Sequence, residues 1–173
     1  MNDFLPEWYQ APKTEGGYMK FKKWQNKFRI LGKSIVGWEY FTTDNKPKRF
    51  PMDQKPEHPT DIKKDDKGNA SKVKHFRAFP VYNYQDNAIQ LLELTQASIM
   101  GTIKEYVENP KWWSPVDYDI IVSKEGEWLD TEYTVTVDPK EPIAKEILEW
   151  YFAMWINTEA LFAGENPFEK KPF

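Results

Sequence analysis

Aromatic rings and positive charges are interleaved along two stretches of the chain, residues 26–43 and 72–84. If residues 34–42 form a strand, Trp38 and Tyr40 lie on the same face of it, because side chains alternate between the two faces. Such a face suits a single-stranded nucleic acid, whose bases stack on rings and whose phosphates attract Lys and Arg. The residues that we expect to form this binding surface are Lys27, Arg29, Lys33, Trp38, Tyr40, Lys48, Arg49, Lys72, Lys74, Phe76, Arg77, Tyr82 and Trp128.

The rings have a second interpretation, which is that they fill the hydrophobic core. Aromatic side chains bury a large area, so the core is the simpler place for any one of them. The set as a whole favours the binding surface, since the Lys and Arg residues come from the same segments as the rings. Each stacked base contributes roughly 1 to 3 kcal/mol, so three rings would outweigh the loss of any single phosphate contact.

The charges are divided unevenly along the chain. The formal net charge is -3, yet residues 1–77 contain 17 Lys and Arg against 10 Asp and Glu, whereas residues 78–173 contain 7 against 17. A basic half beside an acidic half is typical of a protein that presents one face to a polyanion. The distribution therefore supports a nucleic-acid surface in the first half of the chain.

Residue types that do chemistry in enzymes are scarce. The chain has no cysteine, which excludes disulfides and thiol catalysis, and its imidazoles are those of His58 and His75. Four acids near a predicted hairpin could bind a divalent cation, but the sequence fixes no lysine or histidine beside them. These acids are Asp117, Asp119, Glu125 and Glu127. We expect a binding protein, not an enzyme, with no metal and no cofactor.

The order of predicted elements is strand, strand, strand, helix, strand, strand. The first strand, residues 27–43, contains Gly32 and Gly37 and is expected to bend sharply. A long mobile loop is predicted over 44–72, and a helix of about thirteen residues is predicted between the third and fourth strands. This layout indicates a mainly β domain over 27–138, a five-stranded OB-fold barrel with one helix between strands 3 and 4.

The ends of the chain differ from this domain. Residues 1–26 have the Pro and Gly content of an N-terminal arm, and 139–173 are predicted to form a C-terminal helix and tail. The apolar stripe of this helix must cover its own barrel or another copy of the chain. Partner binding or self-association, as a homodimer or cooperative filament, is expected to use Ile147, Trp150, Tyr151, Met154, Trp155 and Phe173.

Two further expectations follow from the apolar pattern. No apolar run approaches the length of a membrane span, and the first residues lack the pattern of a secretory signal, so we expect a cytoplasmic protein without membrane contact. The apolar C-terminal helix also leaves an alternative function open, in which the barrel is a protein-interaction module that uses this helix.

Several motifs resemble those of the single-stranded DNA-binding proteins that tailed bacteriophages encode for their own replication. They are RILGKSIVGWEYF, KVKHFRAFPVYNY, the Glu93-Leu94-Thr95-Gln96 run, the Trp-x-x-Pro-x-x-Tyr-Asp-Ile run that ends at Ile120, and the Lys-Glu-Gly hairpin, within about residues 26–138. The resemblance implies an OB-fold that coats DNA in replication or recombination without strict sequence preference, in the host bacterial cytoplasm and beside phage replication proteins. It places Arg29, Trp38, Tyr40, Lys74, Phe76 and Arg77 on the basic, aromatic strand face of the family.

The chain departs from that family in two ways. Some relatives hold a zinc ion with cysteines and histidine, and the absence of cysteine here implies that this subdomain is missing. Many also end in a long acidic tail that recruits replication proteins, whereas Lys170 and Lys171 dilute the acids here. The terminal Pro172-Phe173 is similar to the end by which bacterial counterparts dock partner proteins.

Overall fold

The computed structural model describes residues 17–169, which form a mainly β protein as predicted. Within these residues, seven strands join in one antiparallel sheet. The strands are β1 (Trp24–Ile30), β2 (Ile35–Phe41), β3 (Pro47–Pro51), β4 (Lys74–Asn83), β5 (Ala88–Leu94), β6 (Asp119–Glu125) and β7 (Glu132–Val137). The helices are α1 (Ala97–Glu108) and α2 (Lys145–Met154), with short 3-10 helices at Trp128–Asp130 and Thr158–Ala163.

The first two strands are the halves of one bent strand. Both run antiparallel to β4 along the same edge, with Ile30 opposite Val81 and Ile35 opposite Ala78. The chain bends between them, and Gly32 lies in the bend, where a Cβ atom would collide with the hydroxyl group of Tyr151. The sharp bend predicted for residues 27–43 is therefore present, and a glycine allows the close packing at that point.

The sheet is open and does not form the closed five-stranded barrel that the sequence predicted. The order is β3-β2-β4-β1-β6-β7, and β5 pairs with the other edge of β4. A closed barrel would need β5 to pair with β7, but the free edge of β5 is taken by the segment before β1. The Met19 amide donates to the Leu91 carbonyl at 2.8 Å, and the Leu91 amide donates to the Gly17 carbonyl. Part of the predicted arm thus completes the sheet, while residues 1–16 lie outside the described chain.

Each face of the sheet is covered by a different part of the chain. The inner face, as we call the side on which α1 packs, buries Ile99, Met100 and Ile103 of that helix against β1, β4, β5 and β6. The outer face is covered by α2 and the 3-10 helix Thr158–Ala163, and Leu161 and Ile147 are buried there. Burial on both faces fixes the direction of each strand side chain.

The C-terminal segment covers the sheet of its own chain. Ile147 is buried against Leu31, Tyr82 and Ile89, and Trp150, Tyr151 and Met154 pack against the same cluster. The helix is shorter than its apolar stripe, because the chain turns at Trp155 with a left-handed φ of 52°. The sequence left open whether this stripe covers its own domain or another copy, and the first of these is observed.

The predicted loop 44–72 is not wholly irregular. Its residues 47–51 form β3, which pairs with β2 at the edge of the sheet. Both ends of this strand are prolines, a residue tolerated on an edge because its missing N–H is not needed there. Thr42 and Ile62 form an isolated bridge further along, which ties the second half of the segment to the sheet. None of the helices in residues 17–169 is long and apolar enough to cross a membrane.

Candidate nucleic-acid interface

The predicted binding residues are divided between the two faces of the sheet. Directly paired residues of antiparallel strands share a face. Arg29 pairs with Asp119 and Tyr82, and Glu39 pairs with Arg49 and Lys74, so these side chains belong to the outer face. Trp38 pairs with His75 and Phe50, and Val36 pairs with Arg77, on the inner face. The sequence predicted one surface, and the structure separates its members.

Arg29 forms a buried ion pair on the outer face. Its residue surface is 2% exposed, and Nε lies 2.6 Å from Oδ1 of Asp119. Its Nη1 donates to the Val116 carbonyl at 3.1 Å, and the hydroxyl group of Tyr84 donates to the same Asp119 oxygen at 2.8 Å. Lys27 lies nearby, with Nζ 3.1 Å from Asp138, and this hydrogen bond raises its pKa. Both cations are therefore paired with carboxylates, and Arg29 is also buried out of reach of a phosphate.

Arg49 is held between two carboxylates on the same face. Its Nε lies 3.0 Å from Glu39 and its Nη2 lies 2.6 Å from Glu93. One guanidinium cannot neutralise both acids, and burial together with the neighbouring Glu93 raises the pKa of Glu39 to about 8. A proton on Glu39 therefore balances the cluster at neutral pH.

This cluster predicts a stability that depends on pH. Glu39 binds its proton more tightly in the folded protein than in the unfolded chain, where a glutamate has an ordinary pKa of 4.5. The stabilisation is fully present below about pH 4.5 and is lost as the pH rises through 8, so the free energy of unfolding should fall across that window. The amide of the Glu39→Gln variant cannot titrate, so the difference in stability between this variant and the wild type should shift in favour of the variant with rising pH. Urea unfolding at pH 5, 6, 7, 8 and 9 measures the free energy of unfolding of each protein, and the exposed Glu57→Gln variant is the control. If the plots of this free energy against pH were parallel for Glu39→Gln and the wild type, the prediction would be wrong.

Three of the predicted rings are part of the core. Phe76 is fully buried and contacts Phe162 with ring centroids 6.1 Å apart. Tyr82 is 6% exposed beneath α2. Tyr40 is 4% exposed, donates its hydroxyl hydrogen to Asp61 at 2.8 Å and stacks on Phe50. None of these three rings is accessible to a base in this conformation, which corrects their assignment to the binding surface.

The inner face continues beyond the core as a surface that contains Trp38. Trp38 is half-buried, and its ring centroid lies 5.6 Å from that of His75 on the neighbouring strand. Its Nε1 donates to the Met52 carbonyl at 3.1 Å, and Nζ of Lys55 lies 4.3 Å from the ring centroid. We call Val36, Trp38, Lys55, His75 and Arg77 together the Trp38 surface.

Arg77 differs from Arg29 and Arg49. Its Nε is buried and has no hydrogen-bond partner among residues 17–169. Lys33 lines the same groove as Arg77 and is exposed. Acids are missing from the inner-face strand positions in this region, which are Val36, Trp38, Tyr40, Lys48, Phe50, His75 and Arg77. Positive charge on this side is therefore not neutralised by the strands that carry it.

The remaining candidates are not part of the Trp38 surface. Lys48 is paired with Asp61. Lys72 and Lys74 are exposed, and Lys74 is opposite Glu39 on the outer face. Trp128 is 93% exposed in the turn between β6 and β7, which adjoins the start of β1 because Trp24 pairs with Lys124. Phe173 lies outside the described residues.

Lys55 was missed by the sequence reasoning. It follows β3 in a segment with no apolar periodicity, and only the fold brings it back over the ring of Trp38. The sequence offered one signal for Lys55, which is that it is a cation in the same half of the chain as Trp38.

No group of three or more His, Asp and Glu side chains in residues 17–169 is arranged to hold a metal ion.

Comparison of the chain with protein-family models, with curated proteins and with solved structures gives no match in any of the three searches.

Proposed function

We propose that this protein binds single-stranded DNA, without strict sequence preference, on the Trp38 surface and the adjoining Lys33. One observation carries the proposal. The arginines of the outer face are neutralised by carboxylates, whereas the Nε hydrogen of Arg77 has no partner among the described residues, and Arg77 pairs with Val36 on the inner face that also carries the half-buried Trp38. A fold keeps a buried, unpaired N–H at a cost in stability, so its retention supports a role in binding an anion.

The chemistry of this surface fits a flexible polyanion. The ring of Trp38 offers a face on which a base stacks, and the neighbouring cations replace counterions along the phosphates. Lys55 lies over the ring of Trp38, and Arg77 is two residues from His75 on the strand next to Trp38. Stacking on a ring reads no base sequence, because every base has a flat face. Binding should therefore be general and sensitive to salt.

The strand order supports an OB-fold as the underlying topology. If β1 and β2 count as one bent strand and β3 as part of the following loop, the order is β7-β6-β1/β2-β4-β5, with α1 between β5 and β6. This is the order of a five-stranded OB-fold barrel opened between its third and fifth strands. OB-folds bind many classes of ligand, so this topology does not choose among them.

A role in coating DNA during phage replication or recombination follows from the resemblance of the sequence motifs. In that role the protein is a binding protein and not an enzyme, and replication proteins are its expected partners. Both points belong to the proposal and depend on DNA binding being found.

The decisive experiment compares two tryptophans. Replacing Trp38 by Ala should weaken binding of fluorescein-labelled oligo-dT by about 5- to 150-fold, because one stacked base contributes roughly 1 to 3 kcal/mol. Trp38→Phe should keep most of the affinity, since it keeps a ring. Fluorescence anisotropy at several salt concentrations measures both variants. Trp24→Ala is the matched control, because Trp24 is 64% exposed at the start of β1 and outside the Trp38 surface. Equal affinities for Trp38→Ala and Trp24→Ala would reject the proposal.

Association through the C-terminal segment is a second proposal, supported by a specific observation. Phe152 is 68% exposed and Trp155 is 77% exposed, although the helix that carries Phe152 is otherwise packed on the sheet. Two neighbouring exposed rings are an apolar surface of the kind that binds another protein or a second copy. The predicted contact residues Ile147, Trp150, Tyr151 and Met154 are instead involved in packing within the chain.

A further inference from the structure

A groove opens on the inner face beside the bend between β1 and β2. It lies between this bend, β4, the end of α1 and the segment 114–116. Its volume of about 540 Å³ is in the range of sites that bind small molecules. We call it the strand-bend groove, and the residues used below are Ile30, Lys33, Arg77, Phe79, Ile103 and Val107.

The strand-bend groove has one apolar side and one cationic side. Phe79, Ile103 and Val107 come from β4 and α1, and the first two are buried in the core while Val107 is 38% exposed. Arg77 and Lys33 contribute the positive charge. Neither cation has an acidic partner among residues 17–169, and the Nε hydrogen of Arg77 is buried without an acceptor. The groove therefore has a donor, the Arg77 Nε hydrogen, that an anion would satisfy, and an apolar wall that a flat group would cover.

On this basis we propose that the strand-bend groove binds one nucleotide unit of the bound strand, its base against the apolar wall and its phosphate on Arg77 and Lys33. This inference depends on the proposed function and names one subsite of it. An inorganic anion would leave the apolar wall uncovered, and an apolar ligand would leave the Arg77 Nε hydrogen without an acceptor. A nucleotide supplies both groups on one molecule.

The groove is continuous with the Trp38 surface. Arg77 is directly opposite Val36, and Trp38 is two residues further along β2 on the same face. Arg77 therefore belongs to both, and a strand that stacks one base on Trp38 passes the guanidinium before it reaches the groove. Trp38 and the groove would then hold two separate bases, with Arg77 on the phosphates between them.

Nuclear magnetic resonance with labelled methyl groups and arginine side chains tests the subsite directly. The probes are thymidine 5′-monophosphate, thymidine and inorganic phosphate, each added to the full chain. We expect the monophosphate to shift the methyl signals of Ile30, Ile103 and Val107 and the Nε–H signal of Arg77 together. If phosphate shifts the Nε–H signal of Arg77 and no probe shifts the methyl signals, the base site is wrong. If the methyl signals shift and the Arg77 signal does not, the phosphate site is wrong.

Filling the groove gives the second measurement. Val107→Phe should lower the affinity for oligo-dT about tenfold, within the range that one stacked base contributes. Ala97→Phe is the control, because Ala97 is exposed on the same helix and away from the groove. Thermal unfolding checks that both variants are folded. Unchanged oligo-dT binding by Val107→Phe would reject the groove while leaving the proposed function intact, whereas wild-type protein that does not bind oligo-dT would reject both.

Discussion

Replacing Lys33, Lys55 and Arg77 together by glutamine is expected to lower the affinity for oligo-dT by about 100-fold at low salt. Each of these cations lacks a carboxylate partner within the described chain, so each is available to a phosphate. A charge-assisted hydrogen bond contributes about 1.5 to 3 kcal/mol, and three of them exceed the roughly 3 kcal/mol that a 100-fold change requires. The loss should be similar for all base sequences.

The dependence on salt gives a sharper result than the affinity. Each phosphate contact with single-stranded DNA contributes a slope of about -0.7 to the plot of log affinity against log salt concentration. The triple variant should therefore have a slope about 2 units less steep than the wild type, measured by anisotropy at salt concentrations between roughly 50 and 300 mM. The control is a second triple variant, which combines Lys104→Gln, Lys140→Gln and Lys145→Gln. It loses the same charge, and its three lysines are exposed outside the Trp38 surface. Equal slopes for the two triple variants would place the phosphates elsewhere.

Local sequence patterns were enough for most of the elements of this fold. The bent first strand, the turn before β5, the helix between β5 and β6 and the last hairpin are all where periodicity and breaker residues predict them. What local patterns could not give was the closure of the sheet. The edge of β5 is occupied by the backbone of residues 17–19, and backbone pairing of this kind requires no particular side chain. β3 was missed for a related reason, because its prolines indicate a loop unless the strand is known to be at an edge.

The choice between the faces of the sheet could not be read from the sequence either. Alternation places Trp38 and Tyr40 on one face of β2, yet it does not say how β2 is aligned with the strand that carries Phe76 or which face receives a cover. The cover of the outer face is the segment around α2, which is more than 60 residues away in sequence from Phe76. The partners of Arg29 and Arg49 are likewise distant, 90 residues away at Asp119 and 44 residues away at Glu93. An arginine that binds a phosphate and one that stabilises the fold look alike until these contacts are known.

This distinction predicts opposite results from one substitution at two arginines. Arg29→Met should lower the free energy of unfolding by about 3 kcal/mol, because it leaves the carboxylate of Asp119 buried without its closest cation. The loss is at the lower end of the range for buried pairs, since Lys27 at 3.5 Å and the Tyr84 hydroxyl group still contact Asp119. Arg77→Met removes a buried donor that has no acceptor in the described chain, so its stability should be unchanged or higher. Urea unfolding at pH 7 measures both.

The same pair of variants separates stability from binding. Arg77→Met should be as stable as the wild type and bind oligo-dT more weakly, whereas Arg29→Met should be less stable and, where it remains folded, bind with nearly the wild-type affinity. The double variant Arg29→Met and Asp119→Leu should recover most of the lost stability, because two apolar side chains replace the pair without leaving a charge unpaired. If Arg77→Met were destabilised and Arg29→Met were defective in binding, the assignment of DNA binding to the inner face would be wrong.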